Sequence, residues 1–301
     1  MMSGGVFSKL DPDIITFLIL PHLDGKTLII LSSVSSKFYN LICKNYNSEN
    51  LWRNICTSTW PSLLTTRKVP DFLCNRISTF PGGYRTFFSN AFPTIHSPLN
   101  IIINPPPSPH PNIRFYYAVD IFLHGQPYPF CSHASQPIQT FEFLNTRNPS
   151  VNGRGFEFGL YRPRHESKEF IKVKKQGYEE YLKQNLTFSC VVIETNVTKR
   201  AGSLFTPGCK PVSVQPAWMR GRVNVVFETL LPSLSNLYTQ MVICRTKVEC
   251  DWLGDAEDKF CVKSVCSTFT DMNGKPVKHK HAIIIILNAI VNGERKNNKQ
   301  N

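Results

Sequence analysis

The spacing of hydrophobic residues changes once along this chain, and that change constrains its fold more than any other feature. Residues 10–57 carry apolar side chains three and four positions apart, the period of amphipathic helices. From Phe115 onward, apolar and polar residues alternate in short runs separated by turns, the period of half-buried strands. The sequence therefore predicts an α+β protein, with a small helical module followed by a mainly antiparallel, β-sandwich-like domain.

The helical segment is divided by its capping residues. Asp11, Asp24 and Ser48 each precede an apolar run, and each has a side-chain oxygen that can accept a hydrogen bond from a first-turn amide. Pro12 suits the first position of a helix, where the amide needs no partner, and Pro21 ends the first helix. The resulting short helices have more apolar surface than so small a module can bury internally. We therefore expect the module to bury part of that surface on something else.

Two interpretations follow from periodicity alone. The helices could cap the larger domain of the same chain, or they could form a helix-turn-helix that binds DNA. The second interpretation is disfavoured by charge, because residues 1–60 carry a net charge of only +1 out of the total of +13. The remaining +12 is spread along the chain and indicates a solvated basic surface.

The order of residues in this segment resembles an F-box, a motif that begins with Leu-Pro-x-Asp/Glu, continues with Val-Cys-Lys/Arg-x-Trp/Phe and ends with Leu-Trp. The matching positions are Leu10, Pro12, Asp13, Ile14, Ile15, Leu18, Leu23, Leu28, Leu31, Val34, Ser35, Phe38, Leu41, Leu51, Trp52, Ile55 and Cys56. The chain departs from the pattern at Asp11, which separates Leu10 from the proline, and in "VSSKF", where Ser35 and Ser36 replace cysteine and a basic residue.

The resemblance implies a partner for the surplus apolar surface, because F-boxes bind a Skp-type adaptor that joins them to a cullin and a RING protein. On this basis the residues expected to face the adaptor are Leu10, Pro12, Ile14, Leu18, Leu23, Leu28 and Leu31. The residues expected to form the F-box core are Val34, Phe38, Leu41, Leu51 and Trp52.

The predicted domain boundaries follow the composition. We expect an F-box helical module over 8–57, a connecting segment with a short helix and a proline-rich loop over 58–112, a β-rich target-binding domain over 113–293 and a tail over 294–301. The predicted strands lie within 115–125, 126–133, 139–144, 155–161, 186–195, 222–230, 238–248, 260–270 and 281–291. A helix is expected over 175–184 and a tight turn at Asn273-Gly274.

Motifs beyond the F-box region extend the resemblance. The stretches "STWPS", "GYRTFFSNAFP", "YYAVDIFLHG" and "KPVSVQPAWMRGRVNVVF" look like a plant subgroup of F-box proteins that includes a cytokinin-induced member. That subgroup lacks kelch and leucine-rich repeats. The resemblance brings no set of target-binding residues with it.

Sequence motifs for catalysis, phosphate binding or metal binding are absent, so we expect a non-enzymatic chain with no cofactor and no metal. None of the ten cysteines forms Cys-x-x-Cys, and the N-terminus lacks an apolar signal core, so free thiols in the cytoplasm or nucleus are expected. The apolar run from Ala282 is only about half as long as a membrane span.

The F-box resemblance implies a substrate-recognition subunit of a cullin-RING ubiquitin ligase. Trp218, flanked by Arg220 and Arg222, is the candidate wall of a target pocket, with ordinary core packing as the alternative. The alternative function is a ligand-binding β-sandwich, lectin-like or nucleic-acid-binding, with a helical cap. Nucleic-acid binding would be recognised by its steep loss with salt, and neither nucleic acid nor a membrane is the expected partner.

Overall fold

The computed structural model describes residues 10–64, 72–92, 95–96, 115–123, 139–144, 157–161, 171–194, 196, 198–217, 221–233, 237–253, 259–292 and 294–295. The chain divides into two compact units, Met1–Ser89 and Asn90–Asn301. The first is called the helical unit and the second the β unit. The architecture is α+β, and every strand pairing described is antiparallel.

The helices of the helical unit are short. They are α1 (Pro12–Ile14), α2 (Gly25–Val34), α3 (Ser36–Tyr39), α4 (Ser48–Thr59), α5 (Phe72–Ser78) and α6 (Gly83–Ala91), which ends just beyond the unit. A π-helical stretch Ile15–Ile19 and a 3-10 turn Leu20–His22 continue α1, and a π-helical stretch Asn40–Lys44 continues α3.

Two of the three predicted caps are present. The Asp11 carboxylate accepts a hydrogen bond from the amide of Asp13 at 2.8 Å, with Pro12 in the first position of α1. The Asp24 carboxylate accepts one from the amide of Thr27, also at 2.8 Å. The prediction for Ser48 was wrong, because Ser48 is the first residue of α4 and follows the capping position Asn47.

The β unit contains two larger sheets and one short pairing. Its strands are β1 (Ile95–His96), β2 (Phe115–Leu123), β3 (Gln139–Leu144), β4 (Glu157–Tyr161), β5 (Ile171–Lys172), β6 (Leu186–Glu194), β7 (Arg200–Cys209), β8 (Ser213–Pro216), β9 (Arg222–Pro232), β10 (Met241–Leu253), β11 (Lys259–Asp271) and β12 (Glu294–Arg295). One sheet has the order β4-β11-β10-β9-β8, with β5 also paired to β11; the other has the order β3-β2-β6-β7; β1 pairs with β12.

Both larger sheets contribute to one hydrophobic core. Phe188 of β6 stacks on Phe227 of β9 with ring centroids 4.8 Å apart, so side chains from the two sheets meet directly. Along β9 the buried residues Val223, Val225 and Phe227 alternate with half-buried neighbours, as the two-residue period predicts. The predicted helix near 175–184 is present as α7 (Tyr178–Asn185). The predicted strand over 126–133 lies outside the described residues.

The strand predicted over 281–291 was wrong, because these residues lie in a helix, α8 (His279–Asn292). A run of isoleucines favours a strand by propensity, but this run is buried against the core on more than one side. Ala282, Ile286 and Ala289 are buried at helical spacing, with Ile285 and Ile290 beside them. Packing of α8 against the core therefore overrides the β propensity of its individual isoleucine residues.

Candidate functional site

Four exposed aliphatic residues stand out in the helical unit. Ile14 and Leu18 are 43% and 65% exposed, and Ile30 and Val34 are 52% and 70% exposed. The members of each pair are four residues apart and therefore lie on the same face of their helix. We call these residues the exposed apolar pairs. Single exposed aliphatic residues are ordinary on a protein surface, whereas contiguous exposed apolar surface marks a site that meets a partner.

The residues predicted to face an adaptor are found in three environments. Pro12, Ile14 and Leu18 are exposed, and Leu10, Leu23 and Leu31 are half-buried. The backbone oxygen of Leu10 accepts a hydrogen bond from Lys37 Nζ at 3.3 Å. Leu28 is fully buried, so the expectation that it faces outward is corrected.

The orientation of α2 explains that correction. Gly25, Leu28 and Ser32 form its buried face, which leaves Ile30 and Val34 on the outside. The prediction that Val34 belongs to the F-box core is also wrong, because this side chain is exposed. Leucine spacing of three and four residues fits a helix but does not say which way the helix is rotated, so sequence reasoning missed Ile30 as a surface residue.

The core of the helical unit is aromatic. Trp52 and Trp60 both pack on Phe88, each with ring centroids 5.5 Å from it, and Trp60 meets the edge of Phe87 at 5.7 Å. The indole N–H of Trp52 donates to the backbone oxygen of Ile42 at 3.1 Å. Of the predicted core residues, Phe38 and Trp52 are buried, and Leu41 and Leu51 are half-buried.

Polar contacts fasten α5 and α6 to the rest of this unit. The hydroxyl of Tyr84 donates to the backbone oxygen of Cys74 at 2.7 Å, and the Glu49 carboxylate accepts from the amide of Tyr84 at 3.3 Å. Burial raises the pKa of the Tyr84 hydroxyl, which keeps it protonated as a donor. Gly83 has φ +57° and lies against Glu49, where a side chain would collide with the carboxylate.

A groove lies between the residues that follow α1 and the outer face of α4. It has a volume of about 350 Å³, and Phe17, Pro21, Leu41, Leu51 and Ile55 supply its apolar lining. Its polar lining comes from Thr16, Asn47, Asn50, Asn54 and Ser58. Phe17 is 50% exposed at its rim. Sequence reasoning missed this groove because it forms between segments some thirty residues apart in sequence.

The predicted target pocket of the β unit stays a prediction, since Trp218 and Arg220 lie outside the described residues. Arg222 is described, and its guanidinium donates to the Glu249 carboxylate at 2.8 Å across β9 and β10. Ser264 on β11 donates to the same carboxylate at 3.3 Å. The guanidinium of Arg222 is therefore already paired with a carboxylate within the sheet.

Within the described ranges, no three His, Cys, Asp or Glu side chains gather where they could hold a metal ion. The described helices include none that is long and apolar enough to cross a membrane. Every described cysteine is a free thiol. Burial raises the pKa of the thiols of Cys56, Cys190 and Cys250, and it raises that of Cys244 to about 12.

Comparison with known proteins identifies three relatives in Arabidopsis thaliana. The first, an F-box protein, is 32% identical over 226 residues, which cover 72% of this chain and 54% of the relative. A second F-box protein is 25% identical over 98% of this chain and 82% of the relative, and a probable F-box protein is 27% identical over 97% and 77%. The chain thus spans about half the length of the first relative.

No protein-family model and no solved structure matches the chain. The identification therefore depends on the three relatives, two of which match it over nearly its whole length. Their shared description agrees with the F-box order of residues 10–56. The chain is a member of the F-box protein family, of the type found in plants.

Proposed function

We propose that this protein is the substrate-recognition subunit of an SCF-type ubiquitin ligase. The helical unit contains the F-box and binds a Skp-type adaptor, which links the chain to a cullin and a RING protein. The β unit holds a protein target close to the ubiquitin-charged enzyme. In this role the chain needs no catalytic residues of its own, because holding two reactants together is sufficient to accelerate transfer between them. The proposed location is the cytoplasm, the nucleus or both.

The exposed apolar pairs are the observation that carries the proposal. Complete burial of one aliphatic side chain contributes about 1.5–3 kcal/mol, and these four residues have roughly half of that contribution still to gain. The entropy lost on association offsets part of this favourable free energy. Ile14, Leu18, Ile30 and Val34 would then form the centre of an interface whose rim is polar.

The proposal can be tested with purified full-length protein and a plant Skp-type adaptor in isothermal titration calorimetry. The variant Ile14→Asp/Leu18→Asp places two charges at exposed positions, so it should fold normally and lose adaptor binding. The matched control is Val212→Asp, which charges an exposed aliphatic residue of the β unit and should bind like the wild type.

Salt dependence separates the proposal from the nucleic-acid alternative. An apolar interface should keep its affinity when salt is raised, whereas binding through phosphate contacts falls steeply. Failure of the folded wild-type protein to bind any of several adaptors would contradict the proposal. Equal binding by wild type and the Ile14→Asp/Leu18→Asp variant would show that Ile14 and Leu18 are not part of the contact.

The target of the β unit is assigned only as a class, a protein. Trp218, Arg220 and Arg222 remain the proposed contact residues for it. A target that is captured by the full chain and ubiquitinated by the reconstituted complex, but released by Trp218→Ala, would support that assignment.

A further inference from the structure

Lysine side chains gather where two segments meet at one end of the sheet that contains β9, β10 and β11. The segments are residues 237–241, which lead into β10, and residues 272–281, which join β11 to the first turn of α8. We call them together the basic tip. Its lysines Lys275, Lys278 and Lys280 are exposed, and none of them forms an ion pair with a described carboxylate. The tip contains no acidic residue.

Tyr238 holds the two segments of the tip together. Its hydroxyl accepts a hydrogen bond from the amide of Lys278 at 3.0 Å and lies 3.1 Å from His281 Nδ1. Lys275 Nζ lies over the Tyr238 ring, 5.2 Å from its centroid, and donates to the backbone oxygen of Leu237 at 3.0 Å. The lysines are therefore attached to a defined framework.

The acidic residue next to the tip is occupied elsewhere. Asp271 is only 3% exposed, and its carboxylate accepts hydrogen bonds from the amides of Asn273 and Lys275 at 3.0 and 2.8 Å. These bonds fix the turn that follows β11. The Asp271 charge is thus used within the turn and does not pair with an exposed lysine ammonium.

Exposed apolar side chains lie in the same tip. Leu237 is 58% exposed and Met272 is 54% exposed. The hydroxyl of Thr239 accepts a hydrogen bond from the amide of Met272 at 2.9 Å, which joins the two segments that carry these side chains. Exposed apolar groups among cations suit a partner that combines negative charge with an apolar side chain.

The position of the lysines opposes the stability of α8. Lys278 immediately precedes this helix and Lys280 lies in its first turn, where the helix dipole is positive. Cations at this end of a helix destabilise it, and neighbouring lysines also repel one another. An anionic partner would relieve both effects, so the arrangement of charge favours binding of an anion.

The chemistry of the tip matches an acidic peptide. Proteins that bind single-stranded nucleic acid offer open aromatic faces on which bases stack, whereas the Tyr238 ring lies beneath Lys275 and meets the ring of His281 with centroids 5.5 Å apart. Recognition of an anionic membrane takes about four to eight lysines or arginines in one cluster. The tip has three, beside the apolar side chains of Leu237 and Met272.

We propose that the basic tip binds an acidic segment of the protein target, an inference that rests on the proposed function for the identity of that partner. Aspartate or glutamate side chains of the segment pair with Lys278 and Lys280, and an aliphatic side chain contacts Leu237 and Met272. The tip lies where β10 begins, whereas Arg222 pairs with β10 close to its other end. The two target contacts are therefore separate.

The test starts from a phage-displayed library of random peptides that is selected on the purified full chain. Selected peptides should be enriched in aspartate and glutamate next to an aliphatic residue. The Kd of one such peptide, labelled with fluorescein, is then measured by fluorescence anisotropy. Lys278→Glu/Lys280→Glu should raise this Kd roughly 10-fold or more, because two ion pairs are lost and like charges are introduced. Acidic residues suit the start of a helix, so the variant should fold at least as well as the wild type.

Two further variants separate local from general effects of charge. Lys278→Arg/Lys280→Arg keeps both charges and should bind the peptide like the wild type. Lys174→Glu/Lys175→Glu changes the net charge by the same amount at exposed positions that follow β5, near the other end of β11, and should also bind like the wild type. An equal loss of affinity in Lys174→Glu/Lys175→Glu would assign the effect to net charge and overturn the proposal, as would selected peptides without acidic residues.

Peptide binding and adaptor binding fail independently. Ile14→Asp/Leu18→Asp should lose the adaptor and keep the Kd for the peptide. A chain that binds the adaptor but no acidic peptide overturns the tip proposal alone, whereas one that binds the peptide but no adaptor supports the tip and overturns the proposed function. Tighter binding to phosphatidylserine vesicles or to a single-stranded oligonucleotide, lost in Lys278→Glu/Lys280→Glu, would assign the tip to that partner and overturn the proposal.

Discussion

Gly25 lies directly against the ring of Phe88. A Cβ atom at Gly25 would be 2.2 Å from Phe88 Cζ, well inside van der Waals contact. The ring has little room to move away, because Phe88 is fully buried and packs on both Trp52 and Trp60. This contact brings the start of α2 onto the aromatic core and so determines which face of α2 points outward.

Gly25→Ala should therefore destabilise the helical unit by about 1–3 kcal/mol through overpacking, although alanine is the better helix former. Thermal unfolding followed by tryptophan fluorescence measures the change. The double variant Gly25→Ala/Phe88→Leu restores space at the contact, so the two effects should not add. Strict additivity would mean that Gly25 and Phe88 are not in contact.

The Asp24 cap should contribute measurably to α2. Asp24 accepts hydrogen bonds from both the amide and the hydroxyl of Thr27, at 2.8 and 3.0 Å. Asp24→Ala removes both and should cost about 1 kcal/mol of stability, measured by denaturant unfolding, whereas Asp24→Asn keeps a capping oxygen and should cost much less. Equal losses in the two variants would assign the effect to charge and not to capping.

A buried carboxylate holds the turn between β6 and β7. Glu194 is fully buried and accepts hydrogen bonds from the amide of Asn196 at 2.7 Å, the hydroxyl of Thr198 at 2.8 Å and the amide of Lys199 at 3.2 Å. Glu194→Gln replaces an acceptor with a donor there and should destabilise the β unit by about 2–3 kcal/mol. Hydrogen exchange of residues 196–200 should accelerate. Glu180→Gln, at an exposed position of α7, is the control and should change neither measurement.

The buried thiols predict a loss of stability at alkaline pH. Burial raises the pKa of Cys244 from its ordinary 9.0 to about 12, so in the folded state this thiol stays protonated while the unfolded chain ionises. Above pH 9 the unfolded state therefore binds fewer protons, and the free energy of unfolding should fall by about 1.4 kcal/mol per pH unit for each such thiol. The loss from Cys244 is complete near pH 12.

Denaturant unfolding of the full chain between pH 8 and 10.5 measures this slope. Cys190 and Cys250 contribute in the same direction, because burial raises their pKa values as well. Cys244→Val removes one thiol and should make the slope shallower. An unchanged slope in that variant would show that Cys244 does not titrate on unfolding.

Local chemistry allowed much of the helical unit to be predicted. Asp11, Asp24 and Pro12 act within a few residues of themselves, and their effects are visible in sequence. Pro21 was expected to end the first helix, but it lies inside the 3-10 turn Leu20–His22 that continues it. The rotation of α2 was not predictable in this way. It depends on Phe88, more than sixty residues away, which fits only against a glycine. The same long-range contact decides which aliphatic residues remain available to a partner.

In the β unit, too, local sequence patterns predicted some elements, whereas others depend on tertiary contacts. Alternating strands such as β9 and β10 were predicted, whereas β7 was missed because Gly202, Pro207 and Gly208 lower the β propensity of its sequence. β7 forms because β6 beside it offers a long buried partner, and its pairing with β6 shifts register twice. In α8, too, tertiary packing overrides the preference of single residues.

The pairing of β1 with β12 has a consequence for protein synthesis. Ile95 is opposite Arg295, so the first strand of the β unit meets its partner only after residue 295 has left the ribosome. The aromatic core of the helical unit, in contrast, is complete once Phe88 has emerged. Domains generally fold as units, the N-terminal one first, during synthesis. The exposed apolar pairs are therefore in place, and in contact with solvent, while the β unit is still being synthesised. An adaptor that is present during translation would cover them throughout that interval.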